Sequence, residues 1–369
     1  MAEIRIEKLH KAFGDFVAVR DSTMTIEDGH FFVLLGPSGC GKTTTLRMIA
    51  GLEFPTSGNV FLDNEDVTYH RGRERDIAFV FQMFALYPHM NCYRNLAFPL
   101  ITQGTPRREV RERVIETARL LRIEHLLKRP VGGLAAGDRQ RIALGRAIIR
   151  RPKAFLMDEP LGALDTEFRD LMCQELRGLH NRIDATTVYV THDQVEAMSM
   201  GDMIAVMHQG DLLQVAPPQE LYDNPATLFV ANFIGSPPMN FLDVEGGLKR
   251  DPGKARLVGG TEVAMPTLAQ RPTDNAIVYG IRPEHILIDD HAPLRGRVFG
   301  VEYMGARQVV TVDTDAGRLK VRTGGSVSAV VGETVGLDII SARAVIFDQK
   351  TERALTRDTS PALAEAAHG

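Results

Sequence analysis

Cysteine is scarce in this chain of 369 residues: Cys40, Cys92 and Cys173 are the complete set. An odd number without metal-ligand spacing gives neither a full disulfide framework nor a cysteine metal cluster, so a reducing compartment is expected. A surplus of basic charge is missing as well. Forty-three Lys plus Arg stand against 47 Asp plus Glu, leaving a formal net charge of -4. That balance offers no broad attraction for nucleic acid, and none is expected as a partner. Nor does any apolar run reach the ~18 residues of a membrane span, and the opening MAEIRIEKLHK has no signal-peptide core. The chain is expected to stay in the cytosol and to reach a membrane only through partners. Internal repeats, low-complexity blocks and long heptad runs are also lacking.

What is present is an ordinary globular composition, 44% hydrophobic and 24% charged, in a chain long enough for two domains. Ile4 and Ile6, then Ala18 to Ile26, alternate as strands of a small antiparallel layer. Phe31 to Leu35 is a continuous apolar run between Gly29 and Gly36, the pattern of a strand buried on both faces. A helix is predicted from about Lys42 to Ala50, stopped by Gly51. Residues 83–150 have helical spacing punctuated by prolines and read as a helical insertion. Strands return at Ala154 to Met157, Thr187 to Val190 and Met203 to Met207, so the first 235 residues are predicted to form an α/β domain. The breakers Gly235, Ser236, Pro237 and Pro238 mark its end. From 236 to 350 short β-rich stretches predict a small barrel of the oligonucleotide-binding type, and 351–369 read as a flexible tail. Arginine runs at Arg71, Arg73 and Arg75, at 107–113 and at 139–151 read mostly as solvated faces, with contact to a partner or a lipid surface as the alternative.

The chemistry begins at Gly36-Pro37-Ser38-Gly39-Cys40-Gly41-Lys42-Thr43, followed by Thr44. This is P-loop spacing in the context the motif requires, after a buried strand and before a helix. Glycines let backbone N–H groups close around phosphate oxygens, and the helix start adds partial positive charge. Lys42 is placed to reach the β- and γ-phosphates and Thr43 to ligate Mg²⁺, so ATP and Mg²⁺ are the expected ligands. The strand at Ala154 to Met157 then ends on Asp158 and Glu159. Asp158 fits the magnesium shell, and Glu159 fits a base for the water attacking the γ-phosphate.

Together these residues resemble the ATP-binding-cassette ATPases, and the likeness runs over essentially the whole chain. The fold it implies is a P-loop nucleoside triphosphatase with an antiparallel β layer and a helical subdomain, plus a C-terminal all-β barrel domain. The resemblance implies further site residues. Gln82 matches the glutamine that contacts magnesium or the attacking water, Asp165 the D-loop, and His192 the switch histidine that contacts the γ-phosphate. Phe13 matches the aromatic that stacks on adenine. The family signature Leu-Ser-Gly-Gly-Gln corresponds here to Leu134-Ala135-Ala136-Gly137-Asp138, in which three of five positions differ. Ala135 has no hydroxyl for a partner subunit's γ-phosphate, Ala136 adds a methyl group, and Asp138 can cap the helix that follows. Intact nucleotide binding with weakened closure and turnover is therefore expected.

After FIGSPPMNFL, the stretch Gly280 to Ile286 resembles the regulatory domain of sugar importers of the maltose type. That implies a homodimer, or a heterodimer with a similar subunit, on two permease subunits at the cytoplasmic face of the membrane. An extracytoplasmic binding protein would deliver the solute, with sugar or polyol the leading choice. Two other readings stay open: a nucleotide sensor that hydrolyses weakly or not at all, suggested by the altered signature, and a soluble cassette ATPase acting on nucleic acid or ribosomes.

Overall fold

The computed structural model describes residues 2–355 apart from 82–84, 163–165, 184, 247–252, 267, 269–275, 326 and 328. The chain divides into two compact units, Met1–Pro218 and Gln219–Gly369. Gln82 and Asp165, two of the expected site residues, lie outside the described residues.

In the first unit, strands β1 (Ile4–Phe13), β2 (Phe16–Ile26), β4 (Ser57–Leu62) and β5 (Glu65–Asp66) form an antiparallel layer in the order β2-β1-β4-β5. β1 runs well past its alternating start because register shifts after Ile6 and Leu9 let it bend while staying paired with β2. The second sheet holds β3 (Phe31–Leu35), β6 (Ile77–Val80), β7 (Ala154–Asp158), β8 (Thr186–Thr191), β9 (Met203–His208) and β10 (Asp211–Ala216), in the order β10-β9-β3-β8-β7-β6. All its neighbours pair parallel except β10 with β9.

Helix α1 (Lys42–Ile49) packs between the layers. Ile4, Ile6, Val19 and Ile26 of the antiparallel layer share one core with Leu46, Met48 and Ile49 of α1 and with Phe32, Leu34, Val188 and Val190 of the parallel sheet. Fully burying each such side chain contributes roughly 1.5–3 kcal/mol. The other face of β3 is covered too: the Phe31 ring meets His180 of α5 (Thr166–Ile183) edge-on at 5.2 Å. A central strand flanked by strands and covered on both sides must be apolar throughout, which is why FFVLL has no polar residue.

Helices α2 (Cys92–Thr102), α3 (Arg107–Leu120) and α4 (Ala136–Ile148) occupy the stretch read as a helical insertion, and α6 (Gln194–Met200) links β8 to β9. Among the described residues no helix is long and apolar enough to cross a membrane.

The second unit is all-β and barrel-like beyond two short helices, α7 (Pro218–Asp223) and α8 (Leu228–Phe233). Strands β11 (Asn240–Asp243), β14 (Ile277–Ile281) and β20 (Val345–Asp348) form one sheet, and β12 (Lys254–Arg256) pairs with β13 (Glu262–Ala264). β15 (Ile286–Ile288), β16 (Leu294–Tyr303), β17 (Arg307–Thr314), β18 (Gly317–Gly324) and β19 (Thr334–Ile339) form a five-stranded sheet in the order β15-β19-β16-β17-β18. Leu242, Tyr279, Ile281, Val298, Val310 and Leu319 share its core. Arg282, from the Gly280–Ile286 stretch, is 2% exposed and donates to the carbonyls of Tyr222, Ala231 and Ile234.

Candidate nucleotide site

The loop after β3 is shaped by packing as well as by its ligand chemistry. A side chain at Gly36 would put Cβ 2.2 Å from the Met207 carbonyl oxygen. Gly41 has φ 106°, and a Cβ there would lie 2.4 Å from the Ala18 carbonyl oxygen. The loop is thus pressed between β9 and β2, with Ser38 and Gly39 exposed at its tip. α1 starts at Lys42, so its first-turn amides point out of the helix end without intrahelical acceptors. Lys42 is 4% exposed, and its Nζ donates to the carbonyls of Gly36 (2.8 Å) and Pro37 (2.9 Å). Cys40 is buried beside it, and burial pushes its thiol pKa up.

The far end of α1 is closed by a residue that the arginine run did not reveal. Arg75 is 2% exposed rather than solvated, and it donates to Met48 (2.7 Å), Ile49 (2.8 Å), Thr68 (2.9 Å) and His70 (2.9 Å) carbonyls. Burial pulls its pKa down to about 10. A guanidinium at the C-terminal carbonyls satisfies groups that the helix leaves open and opposes the negative end of its dipole.

β7 ends on Asp158, which is 8% exposed and accepts a hydrogen bond from the Thr43 hydroxyl at 2.8 Å. Burial raises its pKa, against the lowering effect of the Thr43 hydrogen bond. Glu159 follows with φ 45°, a left-handed backbone that costs a non-glycine residue on the order of 1 kcal/mol or more. Its amide donates to the Val190 carbonyl (3.1 Å), which locks the turn onto β8. Glu159 Oε1 lies 4.0 Å from Lys42 Nζ, and Oε2 lies 3.3 Å from His192 Nδ1. His192 sits just past the end of β8, with its side chain 52% exposed.

Lys42, Thr43, Asp158, Glu159 and His192 therefore converge. They follow β3, β7 and β8, which the sheet order makes neighbours, at the strand ends where open α/β sheets bind ligands. The other expected residues stand apart from this network. Phe13 closes the β1–β2 hairpin, 49% exposed, with the Lys11 ammonium 4.7 Å from its ring centroid. Leu134 to Asp138 lies at the start of α4, which packs against α2, α3 and β6. Leu134 and Gly137 are buried there, while Ala135 is exposed. Asp138 does not cap that helix. The N-cap is Ala135, without a side-chain hydrogen bond, and Asp138 in the first turn is drawn to Arg141 at 3.6 Å.

Sequence reasoning also missed Arg169, Tyr189, Asp193 and Glu196. Asp193 caps α6 and accepts from Arg169 at 3.1 Å, and Glu196 takes hydrogen bonds from Tyr189 and Thr191. The Asp193-x-x-Glu196 spacing, which resembles a capping box, was the available signal.

These residues fit MgATP. A buried ammonium and outward-pointing amides suit phosphate oxygens, while a buried carboxylate hydrogen-bonded to a hydroxyl suits a hard cation that takes one or two protein ligands. The fold and the site together define a P-loop nucleoside triphosphatase.

Comparison with known proteins makes the class specific. Residues 19–162 match the family model "ABC transporter", residues 235–286 "MalK OB fold domain" and residues 279–347 "TOBE domain". The osmoprotective compounds uptake ATP-binding protein GgtA of Synechocystis is 45% identical over 364 residues, covering 96% of this chain and 100% of that protein. The trehalose/maltose import ATP-binding protein MalK of Thermococcus litoralis is 46% identical over 328 residues, covering 84% and 88%. Among solved structures, the dimeric cassette MJ0796 superposes with a TM-score of 0.53 at 30% identity, covering 58% of this chain and 98% of that one. The chain belongs to the ABC transporter family. It is an ATP-binding ATPase subunit with a C-terminal OB-like domain.

Proposed function

We propose that this chain energises import of a sugar or related polyol by hydrolysing MgATP between two ATPase subunits. The observation that carries the proposal is the convergence of Thr43, Asp158, Glu159 and His192 beside Lys42. Relatives named for uptake of osmoprotective compounds and for import of trehalose and maltose support the import role, since they match this chain nearly end to end.

Magnesium, when bound, would supply positive charge to offset that of the phosphates, and Thr43, Asp158 and Gln82 are the residues that would hold it. Lys42 moves its donors from the carbonyls of Gly36 and Pro37 to the β- and γ-phosphates, while the amides of Gly39 to Thr44 wrap the chain. Glu159 accepts a proton from the attacking water, and His192 donates to the γ-phosphate. Phe13 stacks on adenine. Leu134 to Asp138 and Asp165 face the partner subunit's nucleotide. The partner is a second copy or a similar subunit, as the dimeric state of the MJ0796 cassette supports. The pair docks on two permease subunits at the cytoplasmic face of the membrane, with an extracytoplasmic solute-binding protein delivering the cargo.

The test is steady-state phosphate release by the purified chain with MgATP beside Glu159→Gln. Loss of a general base predicts a fall of about 100-fold or more with ATP binding retained. Equal turnover in both proteins rejects Glu159 as the base. Binding without turnover in the unsubstituted chain favours a sensor, the reading suggested by the altered signature.

A further inference from the structure

His192 is half exposed, yet the backbone that carries it is tied down on both sides. The Thr191 hydroxyl donates to Glu196 Oε2 at 2.7 Å and accepts from the Asp193 amide at 3.0 Å. Asp193 Oδ1 accepts from the amides of Val195 (2.7 Å) and Glu196 (3.3 Å). Glu196 Oε2 also receives the Tyr189 hydroxyl at 2.8 Å. From α5, Arg169 donates to Asp193 Oδ2 at 3.1 Å and brings Nε within 3.6 Å of Glu196 Oε1. Glu196 is 4% exposed and Tyr189 is fully buried. A buried ion pair is weak support for stability, because well-packed apolar residues do as well or better. What this arrangement does provide is a fixed geometry for residues 191–196.

We propose that Arg169 and Glu196 are positioning residues for the ATPase step, holding the loop of His192 at the height from which its imidazole meets the γ-phosphate. The proposal rests on the reading of His192 given above. It adds a mechanical link within one chain. Arg169 lies in the first turn of α5, four residues after Asp165 in the sequence, so a shift of that turn is passed to the His192 loop through two carboxylates. The surroundings make the pair sensitive to charge. Burial raises the Glu196 pKa, opposed by the hydrogen bonds from Thr191 and Tyr189 and by the charge of Arg169, while Asp193 raises it further. Cys173 of α5 also faces Glu196, with its thiol pKa raised to about 12 by burial and by the acidic groups around it.

The experiment compares Arg169→Met, Arg169→Lys, Glu196→Gln and the Arg169→Met/Glu196→Gln pair in the full chain. Phosphate release, ATP binding and amide hydrogen exchange are measured on each. Arg169→Met should lower kcat about tenfold, leave ATP affinity within about twofold, and speed exchange at residues 192–196. Arg169→Lys should recover part of kcat. Without the guanidinium, Glu196 takes a proton at higher pH, so activity in Arg169→Met fails at a higher pH than in the parent as the solution is acidified. Glu196→Gln mimics the protonated acid, so the double variant should stay at the low rate across the pH range and show no such acid limb.

Unchanged kcat, pH limb and exchange in Arg169→Met would sink the positioning role while leaving the site reading intact. Parallel losses of ATP affinity, kcat and thermal stability would also overturn it, since a merely structural residue behaves that way. If His192→Ala turns over like the parent, the underlying reading fails instead, and that outcome is separable from the first two.

Discussion

His192 Nδ1 lies 3.3 Å from Glu159 Oε2, while the other oxygen of the same carboxylate lies 4.0 Å from Lys42 Nζ. Three loops meet in that contact. Lys42 follows β3, Glu159 follows β7 and His192 follows β8, and β8 lies between the other two strands in the sheet. The left-handed backbone of Glu159 turns its carboxylate into the gap rather than along β7, with the amide bond to Val190 holding the turn. A carboxylate between an ammonium and an imidazole has one oxygen on each, and a water placed among them meets a proton acceptor and two cationic or polar donors.

Asp158 accepts the Thr43 hydroxyl, and its role is predicted to be metal binding rather than proton transfer. Asp158→Asn keeps the shape and removes the charge. It should raise the magnesium concentration for half-maximal phosphate release by about 10- to 100-fold, with a smaller change in the rate at saturating magnesium. A magnesium titration of both proteins checks this. A loss of rate with no change in magnesium requirement would reassign Asp158.

Asp202 gives a pH-dependent prediction in the same unit. Burial pushes its pKa up, but two hydrogen bonds from Arg177 (2.7 and 2.9 Å), one from the Phe31 amide (2.8 Å) and the Arg177 charge outweigh it and hold the pKa below the ordinary value. A carboxyl with a depressed folded-state pKa stabilises the fold above its unfolded value of about 4, and this contribution is lost as pH falls through the folded-state value. Asp202→Asn should therefore lower the thermal midpoint at neutral pH, with the deficit shrinking as pH falls below about 4. Thermal unfolding followed from pH 7 down to pH 3 is the measurement, and a deficit that does not change with pH counts against the pair.

The elements with a local signature were legible in the sequence. The run Phe31 to Leu35, the loop to Thr43 and the acids after Ala154 to Met157 announce themselves, because a buried parallel strand, a phosphate loop and a strand-end acid pair each impose residue types at fixed spacing. His192 was reached through the family resemblance rather than through a spacing of its own. Arg75 was not legible, because beside Arg71 and Arg73 it has the same local chemistry, and only the open carbonyls of Met48 and Ile49 distinguish it. Arg169 and Glu196 are of the same kind: their meaning lies in a contact between α5 and α6 that no period of the sequence encodes. The bend in β1 escaped as well, because a register shift leaves the apolar alternation ambiguous.

The signature loop offers the prediction with the largest functional consequence. Ala135 caps α4 with extended backbone (φ -60°, ψ 158°) and no side-chain hydrogen bond, the position where a serine both satisfies a helix amide and presents a hydroxyl. A hydrogen bond to a charged phosphate contributes about 1.5–3 kcal/mol, which is roughly one to two decades in the stability of the closed pair. Asp138 supplies none of this, because Arg141 draws it along the helix and is itself forked onto Glu175 at 3.0 and 3.1 Å. Ala135→Ser with Ala136→Gly should raise phosphate release about tenfold. ATP affinity of the isolated subunit should not change if, as proposed above, this loop acts on the nucleotide of the partner. Stopped assays of phosphate release beside equilibrium ATP binding separate the two effects. An unchanged rate would mean that the Gly137 amide and the α4 helix end suffice for closure, and that the missing hydroxyl costs this subunit nothing.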